Sequence, residues 1–249
     1  MGLVKMKNIK IKVRYKGTAY CGWQSQINGV AVQDVIERAI ESVGGKKVNL
    51  TGAGRTDAGV HALGQAANFL TDSSMPAERW PAALNAYLPG DITVYDAEDV
   101  DIEFNARFDA RGKRYRYCIW NSRYRPGLFE DYCCHIPYDL DVKKMNEVIN
   151  IFTGTHDFKN FMSTGSDVKD TVRTIWDIEL MQRDEQISID VRGDGFLYNM
   201  VRRIAGSLAD VGRGKLDASD VRTLVDGKAD FCSYVTLPAK GLFLVEVYY

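Results

Sequence analysis

The chain has 249 residues, of which 26% are charged and 45% hydrophobic, and its net charge is −1. This balance is typical of a globular protein with one large domain or two of ordinary size. No apolar run approaches the roughly 18–20 residues of a membrane helix, and residues 1–7 lack the apolar segment of a secretion signal. We therefore expect a cytoplasmic protein with no membrane partner.

The first half of the chain predicts six elements in the order strand, helix, strand, strand, helix, strand. In residues 9–16 apolar residues alternate with Lys and Arg, which indicates a half-buried strand with a basic outer face. The remaining elements are a helix over 32–43 ended by two glycines, strands over 47–50 and 66–70, a helix from Pro76 carrying Trp80, Leu84, Tyr87 and Leu88 on one face, and a strand over 92–95.

The second half resembles the first in its order of strands and helices. The predicted elements are a strand over 114–120, a helix over 142–152, strands over 171–182 and 186–192, an amphipathic helix over 197–211, a short helix over 217–226 and a strand over 242–249. Two successive split β-α-β units predict an α+β fold of two ferredoxin-like halves, with antiparallel sheets merging around a central cleft. We expect the halves to span residues 1–106 and 107–249.

The five cysteines include no Cys-x-x-Cys pair. The adjacent Cys133 and Cys134 cannot easily serve one tetrahedral metal, and the only further ligand nearby is His135. Small buried thiols in a reducing compartment explain the cysteines better. We therefore expect no metal.

Charge is segregated along the chain. Residues 1–16 carry six Lys or Arg and no acid, residues 107–125 carry seven against one Asp, and residues 91–103 carry six Asp or Glu and no base. A basic surface suits a phosphate backbone, although basic runs are more often plain solvated faces.

A glycine-rich loop, GAGRTDAGVH at residues 52–61, lies between two predicted strands and presents Arg55 and Asp57. Its glycines permit turn conformations and keep bulk away from whatever docks there. It is not a dinucleotide fingerprint, because Asp57 stands where the third glycine would be, and it is not a P-loop, because it has no lysine. One ionised Asp beside an Arg suits nucleophilic attack or removal of a single proton. A plain turn with a solvated arginine is the competing interpretation.

Two further candidates come from the second half. Arg202 flanks the apolar stripe of its helix, where it could pair with a carboxylate of the other half and keep it ionised, or simply extend from the core edge. Tyr115 lies in KRYRY at residues 113–117, where cations alternate with aromatic residues. An aromatic ring beside cations can stack a nucleobase, but at least one of Tyr115 and Tyr117 should pack in the core.

Taken together, these residues resemble the TruA-type tRNA pseudouridine synthases. GRTDAGVHA at 54–62 is similar to the catalytic loop of that family, and seven further blocks follow the family order over nearly the whole chain. They are YKGTAYCGWQSQ (15–26), LPGD (88–91), FNARFDA (104–110), KRYRY (113–117), GTHDF (154–158), FLYNMVRRIAG (196–206) and GLFLV (241–245). Lys16 departs from the pattern, since the family usually has Asp there, and we expect it to lie away from the catalytic blocks.

The resemblance implies an isomerase that converts uridine to pseudouridine in the anticodon stem-loop of tRNA, at positions 38–40, after flipping the base out of its stack. It implies that Asp57 is the essential catalytic aspartate, that Tyr115 stacks on the uracil, that Arg202 pairs with the aspartate and that Arg55 helps to flip and hold the nucleotide. It also implies a homodimer that grips tRNA with both subunits, and no cofactor.

Three alternatives remain open at this point. The chain could be a non-catalytic tRNA-binding module, although binding alone gains nothing from a carboxylate that faces phosphates. It could be a hydrolase that cleaves the N-glycosidic bond and releases the free base. Asp57 and Arg202 could also form a purely structural salt bridge.

Overall fold

The computed structural model describes residues 6–27, 29–165, 168–229 and 235–249. They form two compact units, one made of Met1–Arg111 with Leu244–Tyr249 and the other of Gly112–Phe243. The C-terminal residues Leu244–Tyr249 thus belong to the first unit, far in sequence from the rest of it.

The first unit is an antiparallel sheet with two helices. Its elements are β1 (Lys7–Tyr15), α1 (Val32–Gly44), β2 (Thr51–Gly52), β3 (His61–Thr71), α2 (Trp80–Asn85) and β4 (Ile92–Val100), with short 3-10 helices at Gly17–Ala19 and Ala77–Arg79. β1 lies between β4 and β3 and pairs antiparallel with both, while β2 pairs with β3. The predicted alternation in β1 is confirmed, since Ile9, Ile11 and Val13 are fully buried.

The predicted strand over residues 47–50 is wrong, because β2 begins only at Thr51. The main chain of Leu50 instead binds α1: its N–H donates to Glu37 Oε1 at 2.9 Å and its carbonyl accepts from Gln33 Nε2 at 3.1 Å. Side chains of the helix thus satisfy the groups that a sheet partner would otherwise take. Tyr87 is also exposed rather than sharing the buried face of Trp80 and Leu84.

The second unit is again a sheet with helices. Its elements are β5 (Gly112–Asn121), β6 (Cys134–Ile136), α3 (Val142–Val148), β7 (Gly154–Asp157), β8 (Val172–Arg183), β9 (Gln186–Gly193), α4 (Met200–Gly212) and α5 (Ala218–Val225). Short 3-10 helices lie at Gly127–Phe129, Ile149–Phe152, Phe158–Phe161 and Ala239–Gly241. The strand order is β5–β9–β8–β7, all antiparallel, and β6 pairs parallel to β5. The last strand, β10 (Leu242–Tyr248), lies next to β3 of the first unit.

The predicted α+β class, with an antiparallel sheet and helices in each half, is confirmed. The short strands β6 and β7 were not predicted. Helix α4 begins at Met200 instead of Leu197, because its N-cap residue Asn199 takes a left-handed conformation with φ 63°. None of the helices in the described ranges has the length and apolar character needed to cross a membrane.

The cysteines Cys118, Cys133 and Cys134 are buried free thiols, Cys21 is a half-buried one, and Cys232 lies outside the described residues. Burial raises the pKa of Cys118 to about 11 and that of Cys133 to about 12, so both stay protonated at neutral pH. Among the residues that the structure describes, no group of three His, Cys, Asp or Glu side chains is arranged to hold a metal ion.

Candidate active site

The Asp57 loop (residues 53–60) connects β2 to β3 in the first unit. It closes with a turn in which the N–H of Val60 donates to the carbonyl of Asp57 at 3.1 Å, and Gly59 has the φ of 80° that such a turn requires. The side chain of Asp57 is half-buried and that of Arg55 is exposed, while Thr56 between them is buried. The loop therefore presents the carboxylate and the guanidinium on either side of an anchored residue.

The anchor is a hydrogen bond between two buried hydroxyls. Tyr15 Oη, at the end of β1, lies 2.7 Å from Thr56 Oγ1. Burial raises the pKa of Tyr15 well above its ordinary value, against smaller lowering effects of hydrogen bonds from Thr56 and Gln65, so the phenol stays protonated. Gln65 of β3 is fully buried and its Nε2 donates to the carbonyl of Gly54 at 2.8 Å. Strands β1 and β3 thus hold the loop on both sides.

Two glycines of the segment that follows β1 let it press against the loop. A Cβ on Gly22, whose φ is 109°, would lie 2.5 Å from the carbonyl oxygen of Thr56, and a Cβ on Gly17 would lie 1.9 Å from that of Val60. The same carbonyl of Thr56 accepts the N–H of Trp23 at 3.0 Å. The backbone on both sides of Asp57 is therefore fixed by close main-chain contacts that only glycine permits.

His61 supports the loop and does not join the exposed groups. It is 1% exposed, and its Nδ1 accepts the N–H of Gly17 at 3.0 Å. Lys16 lies between Tyr15 and Gly17, both of which contact the loop or its end. The expectation that Lys16 lies away from the catalytic blocks is therefore wrong, because the chain folds this strand end onto them.

Tyr115 lies on β5 in the second unit and is 8% exposed. Its ring packs edge-on against Phe196, with centroids 5.1 Å apart. Tyr117 is fully buried and its hydroxyl donates to the carbonyl of Pro238 at 2.7 Å, so the core-packing alternative holds for Tyr117, and Tyr115 is also buried. Phe196 holds the plane of the Tyr115 ring in a defined orientation.

The arginines of β5 do not extend into solvent. Arg114 Nε donates to Asp190 Oδ1 at 2.6 Å, and Arg116 Nε donates to Asp190 Oδ2 at 2.8 Å. Asp190, on the paired strand β9, is only 2% exposed, and its carboxylate raises the pKa of Arg116. One buried carboxylate thus binds two of the cations that the sequence suggested for phosphate binding.

Two cations of β1 are neutralised in a similar way. β1 pairs with the acidic strand β4, and this register sets Lys10 opposite Glu98 and Lys12 opposite Asp96, with ion pairs of 2.6 and 3.0 Å. Two cations of the basic run are therefore paired with acids of the acidic run, and the basic face of this strand is smaller than the sequence suggested.

Arg202 is half-buried on α4 in the second unit. Its Nε donates to the carbonyl of Leu237 and its Nη1 to Asn199 Oδ1, both at 2.6 Å. These bonds use two of the five N–H donors of the guanidinium and fix its plane. Arg202 is therefore a positioned arginine and not one that merely extends from the core edge.

The four predicted site residues thus fall into two pairs. Asp57 and Arg55 share one loop of the first unit, and Tyr115 and Arg202 lie on β5 and α4 of the second. The supporting residues Tyr15, Thr56, Gln65 and Asp190 were not predicted to bear on the site. The sequence does single out Asp190 in one respect, since it is the one acid of β9, and the structure pairs it with Arg116 across the sheet.

Comparison with known proteins identifies the family. A family model described as tRNA pseudouridine synthase matches residues 11–109 and 148–249, which include Asp57, Arg55 and Arg202 but not Tyr115. The tRNA pseudouridine synthase A of Acetivibrio thermocellus is 48% identical over 98% of this chain and 100% of its own length. The protein of the same name from Caldicellulosiruptor saccharolyticus is 46% identical with the same coverage.

Among solved structures, a chain of an archaeal box H/ACA sRNP Nop10–Cbf5 complex matches 81% of this chain and 43% of its own length, at 14% identity and with a TM-score of 0.37. The sequence matches define the class, an isomerase that converts uridine to pseudouridine in tRNA. The chain belongs to the tRNA pseudouridine synthase family. The resemblance seen in the sequence is confirmed.

Proposed function

We propose that this enzyme modifies uridines on the 3′ side of the anticodon stem-loop of tRNA, with Asp57 as its catalytic carboxylate. One observation carries the assignment of Asp57. Its neighbour Thr56 is held by the Tyr15 hydroxyl and by the N–H of Trp23, while the Asp57 side chain remains half-exposed. A carboxylate on such a preorganised backbone can act on a substrate without reorganising the loop.

The reaction breaks the N1–C1′ bond of uridine, rotates the uracil and forms a C5–C1′ bond. N1 gains a proton and C5 loses one, so the product is an isomer and no cofactor is consumed. Asp57 starts this sequence by adding to the ring or to C1′, or by removing a sugar proton. The half-exposed position of its carboxylate suits each of these three steps.

We assign Arg202 as the partner of the Asp57 carboxylate. Its two 2.6 Å hydrogen bonds to Leu237 and Asn199 orient the guanidinium, and the planar fork of N–H donors in an arginine matches the two oxygens of a carboxylate. Arg55, exposed beside Asp57 on the same loop, is suited to hold the sugar-phosphate backbone of the flipped nucleotide.

Tyr115 is the proposed stacking partner of the uracil. Flipping a base out of its stack costs a few kcal/mol, and stacking on an aromatic ring returns about 1–3 kcal/mol. Packing against Phe196 supports this role, because a ring whose orientation is already fixed loses little entropy when a base stacks on it.

The remaining assignments follow the family. The N-terminal half, 1–106, would carry the catalytic carboxylate, and the C-terminal half, 107–249, the stacking tyrosine and the helix arginine. The enzyme would act in the cytoplasm as a homodimer, with one tRNA held by both subunits.

The test is to map pseudouridine in tRNA from cells that lack the protein and then regain it as wild type, as Asp57→Asn or as Asp72→Asn. Asp72 is a matched control, since it is an acid that binds Lys46 at the surface of the same unit. We expect anticodon-arm pseudouridine to return with wild type and Asp72→Asn only. Return with Asp57→Asn would contradict the proposal, and pseudouridine confined to other arms would contradict the target.

Two alternatives give different results in the same preparations. A glycosidic hydrolase would release free uracil, which chromatography detects, and would leave no pseudouridine in the RNA. A structural Asp57–Arg202 pair would make charge reversal at either position unfold the protein, whereas the catalytic assignment predicts a folded and inactive variant.

A further inference from the structure

The FNARFDA block has no role in the proposed reaction. It forms a hydrogen-bonded loop in the first unit, here called the Phe108 loop (residues 104–111). The side chain of Asn105 organises it: its Oδ1 accepts the N–H groups of Arg107 and Phe108 at 3.0 and 3.2 Å. Asp109 closes the turn, since its Oδ2 accepts the N–H of Asn105 at 2.8 Å. These hydrogen bonds hold the loop in a defined turn.

Buried polar groups anchor this loop to the sheet. Asn68 of β3, 7% exposed, accepts the N–H of Ala106 at 2.8 Å. Asn8 of β1 donates to the carbonyl of Phe104 at 2.8 Å, and Tyr249 donates to that of Ala106 at 2.9 Å. Asn68 and Asn8 are also hydrogen-bonded to each other, at 2.9 Å. The loop is therefore anchored to the sheet by a network of buried hydrogen bonds.

The Phe108 loop is packed directly against the start of the Asp57 loop. Ala106 is fully buried in a small apolar cluster with Ala53 and Ala66. Ala53 is the first residue of the Asp57 loop, and Phe108 lies two positions after Ala106. The shared cluster therefore places the base of the Phe108 loop against the base of the Asp57 loop.

This rigid loop exposes an apolar ring. Phe108 is 77% exposed, and the guanidinium of Arg107 lies 5.5 Å from the centre of its ring. Single exposed phenyl rings on mobile loops are common at protein surfaces. A ring on a loop that buried asparagines anchor to the sheet is instead positioned to contact another molecule. Arg107 is itself exposed, so the ring and the guanidinium form one accessible surface.

The charge around the loop indicates what kind of contact this is. Asp109 lies within the loop, and Asp101 and Glu103 precede it, so the local field is mixed and does not attract phosphate strongly. An exposed phenyl beside a guanidinium instead suits the face of a nucleobase, which stacks on an aromatic ring whatever its sequence.

We propose that Phe108, with Arg107 beside it, is a stacking platform for an unpaired base of the tRNA substrate, next to the uridine that Asp57 modifies. This proposal rests on the proposed function, since it needs an anticodon arm in which bases are unpaired. Phe108 is a binding residue in this role: it holds the RNA in place and does not take part in bond making.

The experiment measures tRNA affinity and turnover for Phe108→Ala, Phe108→Trp and Tyr95→Ala, with an unmodified tRNA transcript. Tyr95 is a matched control because Arg14 lies 4.2 Å from its ring centre, but it belongs to the acidic strand β4. We expect Phe108→Ala to raise Kd roughly fivefold or more, with Phe108→Trp and Tyr95→Ala close to wild type. Because stacking releases no counterions, the dependence of Kd on salt should stay unchanged, and kcat at saturating tRNA should persist.

A Kd of Phe108→Ala within twofold of wild type would overturn the proposal, as would an equal loss in Tyr95→Ala. A fall in native mass of Phe108→Ala would also overturn it, because the ring would then contact a second copy of the chain. The affinity comparison stands apart from catalysis. If the wild type bound tRNA but made no anticodon-arm pseudouridine, the proposed function would be wrong. The Kd values of Phe108→Ala and Tyr95→Ala would still show whether Phe108 binds the RNA.

Discussion

Replacing Tyr15 by Phe removes the hydroxyl that pairs with Thr56 next to Asp57. Both residues are buried, at 4% and 7% exposure, and the bond is 2.7 Å long. The variant leaves Thr56 Oγ1 without this partner in a site closed to water, which costs about 1–3 kcal/mol. No volume is added and little is removed, so the loss of the hydrogen bond dominates the change in the free energy of unfolding.

The matched variants are Thr56→Val and the double variant. Thr56→Val should cost a similar amount, because it leaves the buried Tyr15 hydroxyl without this same hydrogen bond. The double variant removes both hydroxyls together, and replacing both partners by apolar groups of the same shape is nearly neutral. The double-mutant cycle should therefore give a coupling energy near the sum of the two single costs, about 2 kcal/mol or more.

Urea unfolding followed by circular dichroism measures all four proteins, with equal m-values as the sign of an unchanged unfolding reaction. Single-turnover pseudouridine formation is measured beside it under conditions where every variant is folded. We expect the single variants to lose turnover because the backbone on one side of Asp57 is loosened. Additive unfolding costs, within about 0.5 kcal/mol, together with wild-type turnover would refute the argument that this hydrogen bond holds the loop.

Two further predictions concern the second unit and the thiols. Asp190→Asn should destabilise the protein by about 2–4 kcal/mol in urea unfolding, because it leaves two partly buried arginines without their carboxylate. The control Asp177→Asn, at an exposed ion pair, should change the free energy of unfolding by less than about 1 kcal/mol. Equal effects of the two variants would refute the buried network. Alkylation of the native protein at pH 8, resolved by site with mass spectrometry, should modify half-buried Cys21 well before Cys118. Burial raises the pKa of Cys118 to about 11, so its side chain stays a protonated thiol. Modification of Cys118 at the same rate as Cys21 would contradict that burial.

The pattern of apolar, charged and glycine residues predicted most of the helices and strands, because these elements are determined mainly by residues close together in the sequence. Alternation of apolar and charged residues set β1, and an apolar stripe ended by a glycine with φ 70° set α1. The strand over residues 47–50 failed because two side chains of α1, Gln33 and Glu37, take both main-chain groups of Leu50. Such a contact depends on how the helix docks, which the sequence of the segment does not contain.

The charge pattern was misleading for a related reason. Basic and acidic runs that lie far apart in sequence suggested separate surfaces. The antiparallel pairing of β1 with β4 sets Lys10 against Glu98, and the pairing of β5 with β9 sets two arginines around Asp190. Strand register, and not sequence distance, decides which charges neutralise each other.

The candidate site, too, depends on contacts between residues that lie far apart in the sequence. Spacing and residue type singled out the Asp57 loop, and the family resemblance supplied roles for Tyr115 and Arg202. The residues that make the loop rigid could not be predicted, because Tyr15 and Gln65 act through long-range contacts to Thr56 and Gly54. A tyrosine that ends an alternating strand is ordinary in sequence, and only the fold gives it a partner.

The most direct test of the central claim is release of tritium from tRNA labelled at C5 of uridine, with purified wild type and Asp57→Asn. The amide keeps the shape of the side chain but can neither attack carbon nor take a proton. We predict that the variant binds tRNA with wild-type affinity and releases no tritium. Sustained release by a homogeneous Asp57→Asn preparation would contradict the assignment of this carboxylate as the catalytic group.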